Sequence, residues 1–142
     1  MKENNNLIFK IHYLNKLLDS NFSKLLEEKG LTPQQGRVLL FICNAYEKHN
    51  ITQETIVKVF ELSKSTVSGL VKRLVNNDLI ELSTNKNSHV LKPTNKGLKL
   101  REYFKEQRNK ILETLLNDFN EEQVIEINQQ FDTLIENLRR EK

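Results

Sequence analysis

Residues 63–77 carry the side chains whose types and spacing are best suited to binding a ligand. If this segment is a helix, one face presents hydroxyls, amides and cations, with no acidic residue before Asp78. Solvated helix faces usually mix both charges, whereas cations, hydroxyls and amides suit phosphates and base edges. An ordinary surface helix that happens to lack acids is the alternative. The predicted contact residues are Ser63, Lys64, Ser65, Thr66, Ser68, Gly69, Lys72, Arg73 and Asn76.

The other face of the same segment is apolar, which predicts that it packs on a core. Val67, Leu70, Val71 and Leu74 recur at helical spacing and form one stripe. Ser63 stands where an N-cap is expected. The glycine on the polar face costs a helix about 1 kcal/mol relative to alanine. Its presence there indicates that another surface approaches this face closely.

The flanking residues predict the elements that hold this helix. Thr52 caps a shorter helix that runs to about Val59, and a tight turn separates the two helices. After the second helix, residues 79–83 and 89–92 have the pattern of two strands, joined by the polar sequence TNKNS. The segment is thus predicted to be a winged helix-turn-helix, and Lys86 and Asn87 at the wing tip are further candidate contacts.

The remaining segments are predicted to be helical. Residues 5–28 and the last helix, which begins after Asn120, carry apolar stripes typical of helices that pack on a partner helix. Thr32 opens a central helix that is apolar all round, and Thr94 caps a long helix to about Asn117. We predict a mainly α fold with a small two-stranded β wing. Residues 32–98 would form the winged domain, and residues 1–31 and 99–142 a helical dimerisation region.

Charge and composition are consistent with this interpretation. The 142 residues have a net charge of +3. Residues 51–101 alone carry nine lysines and arginines against four acids, a net charge of +5, which leaves −2 for the rest. Neither a signal peptide nor a membrane-spanning run is evident, so a cytoplasmic protein without a membrane partner is expected. The single Cys43 excludes an internal disulfide and a cysteine-based zinc finger.

The order and spacing of these motifs resemble the MarR family of bacterial transcriptional regulators over nearly the whole chain. The resemblance implies a homodimer whose terminal helices form the dimer layer. Each second helix would enter a major groove of a pseudo-palindromic operator in double-stranded DNA, and many members release DNA when a small lipophilic or phenolic effector, or an oxidant, acts. A repressor without cofactor or enzymatic activity is expected. The matching segments are Leu31–Gln35, Ile51–Glu54, Leu62–Ser68, Leu70–Leu74, Leu79–Ile80 and Pro93–Gly97.

The sequence departs from the family pattern at three places. Where members usually have Asp-x-Arg in the wing, this chain has Asn85 and Asn87, so minor-groove binding by arginine is not expected. Lys86 or His89 could take that place, or the wing could contact phosphate only. Gly69 stands where many members have a long polar side chain. Asp78 replaces a common glycine at the end of the second helix, where a left-handed residue is often needed; aspartate tolerates that conformation, so this departure is structurally minor.

Other interpretations of single residues were weighed against these predictions. Cys43 lies in an apolar run, where a buried thiol is unreactive, although a redox-sensing regulator is the alternative. His12, Tyr13 and Tyr46 are candidates for an effector pocket, with a helix-surface pair and a core tyrosine as the simpler interpretations. The three histidines are too dispersed for a metal site. A winged-helix protein-interaction module that does not bind DNA and the dimerisation domain of an enzyme are the alternative functions.

Overall fold

The computed structural model describes residues 2–85 and 88–141 and confirms a mainly helical chain with a two-stranded wing. The first helix begins three residues earlier than predicted, and the fifth ends two residues earlier, which is ordinary variation at helix ends. The elements in chain order are α1 (Lys2–Glu28), α2 (Pro33–Ala45), α3 (Gln53–Phe60), α4 (Lys64–Asn76), β1 (Ile80–Asn85), β2 (Ser88–Pro93), α5 (Asn95–Leu115) and α6 (Glu121–Arg140).

The chain divides into two compact units, one ending at Gln107 and the other beginning at Arg108. The first unit contains the hydrophobic core, to which α2, α3, α4 and the wing all contribute. Helix α2 is its centre, as its apolar sequence predicted, because Val38, Leu39 and Ile42 are completely buried. The other buried core residues are Leu31, Cys43, Ile51, Ile56, Val67, Leu70, Val71, Leu74, Leu79, Ile80, Leu91 and Phe104.

Side-chain caps fix where the helices begin. The Thr32 hydroxyl accepts from the Gln35 amide at 3.2 Å, and the Gln35 side chain accepts from the Thr32 amide at 3.1 Å. This reciprocal pair satisfies two amides that the first turn of a helix leaves unpaired. Thr52 and Asn120 form the same kind of box at the starts of α3 and α6. The predicted caps Thr32, Thr52 and Asn120 are therefore confirmed.

Left-handed residues end several of these elements. Gly30 (φ +73°) follows α1, and Asp78 (φ +60°) follows α4, where the sequence predicted a left-handed residue. Glu61 (φ +53°) and Asp118 (φ +77°) are also left-handed, which was not predicted. Aspartate adopts this conformation more readily than most residue types, whereas glutamate seldom does. The left-handed backbone of Glu61 turns the chain from α3 towards α4. Its amide still donates to the Val57 carbonyl, so it closes the last turn of α3.

The wing is a single antiparallel hairpin, and its strands extend farther towards the tip than the sequence predicted. Ile80 pairs with Pro93, and the register continues to Asn85 opposite Ser88. Assigning all of TNKNS to the turn was therefore wrong. Thr84 pairs with His89, and a β-branched threonine suits a strand well enough to extend the ladder. The Leu91 amide also donates to the Ile51 carbonyl at 2.7 Å, which joins the wing to the start of the helix-turn-helix.

The second unit contains the end of α5 and all of α6. None of the twenty residues of α6 is buried, although Val124 and Ile127 are half-buried. Farther along its apolar stripe, Phe131 is 42% exposed and Leu138 74%. Nowhere in the described residues is a helix both long enough and apolar enough to cross a membrane.

Candidate DNA interface

Helix α4 separates its two faces as the sequence predicted. Val67, Val71 and Leu74 are at most 2% exposed and anchor the helix to the core. The polar face is exposed along its whole length, and at about 100° per residue its members fall on one side of the helix. The exposed residues are Ser63, Lys64, Ser65, Thr66, Ser68, Gly69, Lys72, Arg73 and Asn76. All nine predicted contacts on this segment thus lie together on one accessible surface.

Within this surface, the central ridge contains Ser65, Gly69, Lys72 and Asn76. Helical geometry puts Lys64 on one flank of the ridge and Arg73 on the other. A helix with its side chains is about as wide as the major groove of B-DNA, on the order of 12 Å. Cations on both flanks can therefore reach the phosphates of both strands while the short ridge side chains Ser65 and Asn76 face the bases. The long side chain of Lys72 can extend from the ridge to a phosphate.

The hydroxyl groups at the start of α4 are not equally free to bind a ligand. Ser63 accepts from the Thr66 amide at 3.2 Å and donates to the Thr66 hydroxyl at 2.8 Å, so this pair completes the N-cap. The Ser65 hydroxyl lies 3.2 Å from that of Ser63. Ser63 and Thr66 therefore position the helix, whereas Ser68 and the amide of Asn76 are better placed to bind outside groups.

The cations of α4 differ from several other cations of the basic segment. Among the described residues, no carboxylate lies within salt-bridge distance of Lys64, Lys72 or Arg73. In contrast, Lys58 pairs with Glu54 at 3.6 Å, and the Lys96 ammonium donates to the Asn77 carbonyl at 3.0 Å. Arg101 donates to the Cys43 carbonyl at 3.0 Å. Lys92 and Lys99 are exposed and have no such partner either, so α4 carries three of the five described cations of residues 51–101 that are free to meet an anion.

The C-terminus of α4 is held by the start of α5, a contact that the sequence did not predict. The Thr94 hydroxyl donates to the Asp78 carbonyl at 2.6 Å and accepts from the Gly97 amide at 3.0 Å. The Thr94 amide donates to the Leu79 carbonyl at 3.1 Å. We call these bonds, together with the Lys96–Asn77 bond, the α4–α5 clamp. It fixes the end of α4, which the buried side chains Val67, Val71 and Leu74 already anchor to the core.

The wing is described only in part. Lys86 and Asn87, the predicted wing contacts, lie outside the described residues. His89 is exposed near the tip, opposite Thr84, while Val90 and Leu91 are buried and anchor the hairpin.

Comparison with known proteins agrees with this geometry. The sequence of residues 29–88, which includes α2, α3, α4 and most of the wing, matches the model of the MarR family. Over this segment the chain is similar to the MarR family. No curated protein is significantly similar to it in sequence.

Solved structures of MarR-family proteins share its fold. MepR of Staphylococcus aureus, a transcription regulator of the multidrug efflux pump MepA, superposes with a TM-score of 0.82 at 22% identity, covering 92% of this chain and 96% of MepR. A MepR–DNA complex gives 0.67 at 22% identity over 92% and 94%. A putative MarR-family regulator from Listeria monocytogenes, complexed with a 26mer DNA, gives 0.67 at 26% identity over 92% and 87%. The similarity of fold therefore extends over almost the whole chain.

The candidate effector residues do not form a recognisable pocket. His12 and Tyr13 are exposed on α1, where Tyr13 stacks on Phe9 with ring centroids 5.9 Å apart. Tyr46 is half-buried after α2, and its hydroxyl donates to Glu47 at 3.2 Å. No hydrogen bond or ring contact of the described side chains joins the three residues.

Cys43 and the histidines add no further site. Cys43 is 2% exposed, and burial raises the pKa of its thiol to about 11, although the nearby Arg101 acts in the opposite direction. In the part of the chain that the structure describes, no group of three His, Cys, Asp or Glu side chains could hold a metal ion.

Proposed function

We propose that this protein is a homodimeric transcriptional regulator that binds specific sequences in double-stranded DNA. The observation that carries the proposal is the exposed face of α4, which has three cations and no acid. Two MarR-family proteins with a similar fold have structures that contain DNA. We infer that α4 is the recognition helix, that Lys64, Lys72 and Arg73 bind phosphates, and that Ser65, Ser68 and Asn76 face the bases.

The character of this face argues against a module that binds only proteins. A protein-binding surface is expected to have large apolar or aromatic anchors at its centre. The exposed residues of α4 include none, because the apolar side chains of the helix are in the core or half-buried. An enzyme dimerisation domain would not need this cationic face.

The proposed homodimer is supported by the apolar side chains of the terminal helices. On α1, Leu7 is 47% exposed, Ile11 39% and Leu14 36%. On α6, the apolar stripe is exposed in the same way, with no buried residue on the helix. Contiguous apolar stripes of this length are costly in water, and helices that carry them are normally covered by another helix. A second copy of the chain would cover them and would present two recognition helices to two half-sites, about one turn of DNA apart.

Repression and release by a small lipophilic or phenolic effector are the finer part of the proposal. They rest on the family resemblance alone, since His12, Tyr13 and Tyr46 form no common pocket in one chain. An effector would act by binding better to one spacing of the two recognition helices than to another.

The test is an electrophoretic mobility shift with a duplex from the promoter region of the protein's own gene, at two salt concentrations. Binding should weaken steeply as salt rises, because cations on phosphates displace counterions. Lys72→Ala and Arg73→Ala should each weaken binding on the order of tenfold and lower the dependence of log K on log salt by about one unit.

Lys105→Ala is the matched control, because it removes another exposed lysine, from α5 and outside the proposed interface. The control should bind DNA as the wild type does, and all variants should keep the oligomeric state in light scattering. If the two α4 variants bind like the control, the interface is not on α4. If the wild type binds no duplex at either salt concentration, the proposed function is wrong.

A further inference from the structure

Three of the four glycines in this chain are explained by its own fold. Gly30 has a left-handed backbone with φ of +73°, which favours glycine. A Cβ on Gly36 would come within 2.5 Å of a methyl group of Leu26, so this glycine lets α1 approach α2. A Cβ on Gly97 would overlap the backbone carbonyl oxygen of Leu79.

Gly69 has no comparable explanation. Its backbone is ordinary right-handed helix, and a Cβ added there would meet no atom within 4 Å. It lies in the interior of α4, where glycine costs about 1 kcal/mol relative to alanine. The fold would therefore be more stable with alanine, and the absence of a side chain must serve something outside the chain.

The position of Gly69 indicates what that is. It lies on the central ridge of the polar face, one helical turn after Ser65 and just before Lys72 on the same ridge. Since its neighbours on the ridge carry side chains, Gly69 leaves a notch in the middle of the surface. Resting on the proposed DNA binding by α4, we propose that Gly69 is a specificity-determining residue whose notch accepts the 5-methyl group of a thymine in the major groove.

The chemistry of the notch selects this group among those that DNA offers. Phosphates are bound by free backbone amides at helix N-termini, but an amide in the interior of a helix is already bonded to a carbonyl one turn earlier. Gly69 therefore presents only an apolar α-carbon. The thymine methyl is the apolar group that a base pair displays in the major groove, and the other groups there are hydrogen-bond donors and acceptors.

The test combines a change in the protein with a change in the DNA. A duplex is first selected by the wild-type protein from a pool with a randomised centre, and each thymine is then replaced singly by deoxyuridine, which lacks the methyl group. Wild type should lose about fourfold in affinity at one thymine of each half-site, the value for one buried methylene-sized group. Gly69→Ala should bind the thymine duplex on the order of tenfold more weakly, because two methyl groups would compete for one space.

The decisive expectation is that the two changes compensate. At the sensitive position, Gly69→Ala should bind the deoxyuridine duplex better than the thymine duplex, since the alanine methyl fills the space of the missing one. Asn109→Ala, an exposed substitution in α5 that also favours helix, is the control and should leave affinity for every duplex unchanged. Gly69→Ala should also raise the midpoint of thermal unfolding by about 2–4 °C.

Each contrary result has a distinct meaning. If Gly69→Ala binds all duplexes within twofold of wild type, or if no deoxyuridine substitution restores its binding, the notch does not hold a thymine methyl. A fall in its unfolding midpoint would show instead that the fold itself needs the glycine. In these cases the wild type still selects a sequence, so the proposed function stands. A wild type that selects no sequence from the pool would overturn both proposals.

Discussion

Cys43 is the residue on which the alternative function, redox sensing, would depend. Its thiol donates to the Gly97 carbonyl at 3.8 Å inside the core, and burial raises its pKa to about 11. Because the thiolate is the reactive form, a neutral and buried thiol should react slowly with oxidants and disulfide reagents. The sequence predicted burial from the apolar run around Cys43, and the structure confirms it.

We predict that a disulfide reagent such as DTNB at pH 8 labels the native protein only as fast as the protein unfolds locally. In denaturant the same single thiol should react at once, which calibrates the measurement. Since the pKa is raised above its ordinary value of 9.0, the folded chain holds the thiol proton more tightly than the unfolded chain. Its contribution to stability is therefore complete below pH 9 and lost as the pH rises towards about 11. Rapid labelling of the native protein at pH 8 would revive the redox hypothesis.

Residue roles could be predicted from the sequence where the interacting groups are only a few positions apart. Ser63, Thr32 and Thr52 were predicted as caps because a cap acts on amides two or three residues away. Asp78 was predicted to be left-handed because it follows an apolar helical stripe. The partner of Lys96, however, is the Asn77 carbonyl nineteen positions away, and no spacing rule joins residues across a hairpin. From the sequence, Lys96 could be counted only as one of the nine cations of residues 51–101.

At the scale of elements, the α4–α5 clamp holds the end of the proposed recognition helix. The end of α4 bonds its own carbonyls through the Asp78 and Leu79 amides, at 2.9 Å each. Thr94 then bonds the next two carbonyls, those of Asp78 and Leu79, and the chain continues directly into α5. Any movement of the start of α5 must therefore be transmitted to the end of α4.

Replacing Thr94 with valine should test the clamp, because valine keeps the branched shape and removes the hydroxyl. The loss of a cap and of a bond to a carbonyl should lower the free energy of unfolding by about 1–2 kcal/mol. Hydrogen exchange measured by mass spectrometry should also quicken in peptides that contain residues 77–79.

Two further threonine substitutions serve as controls for this experiment. Thr94→Ser keeps the hydroxyl and should behave nearly as wild type. Thr114→Val removes a hydroxyl that bonds only the Lys110 carbonyl of its own helix, so it should leave exchange at residues 77–79 unchanged. Equal effects of Thr94→Val and Thr114→Val on that exchange would show that the clamp does not hold α4.

For the whole molecule, charge and apolar surface are distributed to different parts of the chain. Residues 51–101 carry a net charge of +5 and include the proposed recognition helix, whereas the remainder carries −2 and includes both apolar terminal helices. This separation was visible in the sequence, because charge counts and apolar periodicity need no tertiary contacts. The sequence did not show what packs on α1 and α6. An apolar stripe indicates that a helix packs on another helix, but not whether that helix belongs to the same chain or to a second copy.

Leu134→Asp should separate dimerisation from the fold of the winged domain. Leu134 lies on the α6 stripe and is 38% exposed in one chain. In the proposed dimer it would be buried, and a carboxylate among apolar side chains is costly, by several kcal/mol. The variant should therefore be monomeric in light scattering and should lose roughly 10²- to 10⁴-fold in affinity for a full operator, because two linked half-site contacts become one.

Gln129→Asp is the matched control, because it adds the same charge to α6 on the face opposite Leu134. It should remain dimeric and bind DNA as wild type does. Circular dichroism should show the same helix content in both variants, apart from a small change at the end of α6, since the core of the first unit contains no residue of this helix. A monomeric Leu134→Asp protein that still binds the full operator tightly would mean that one recognition helix suffices. Half-site spacing would then have no part in how the protein selects its DNA.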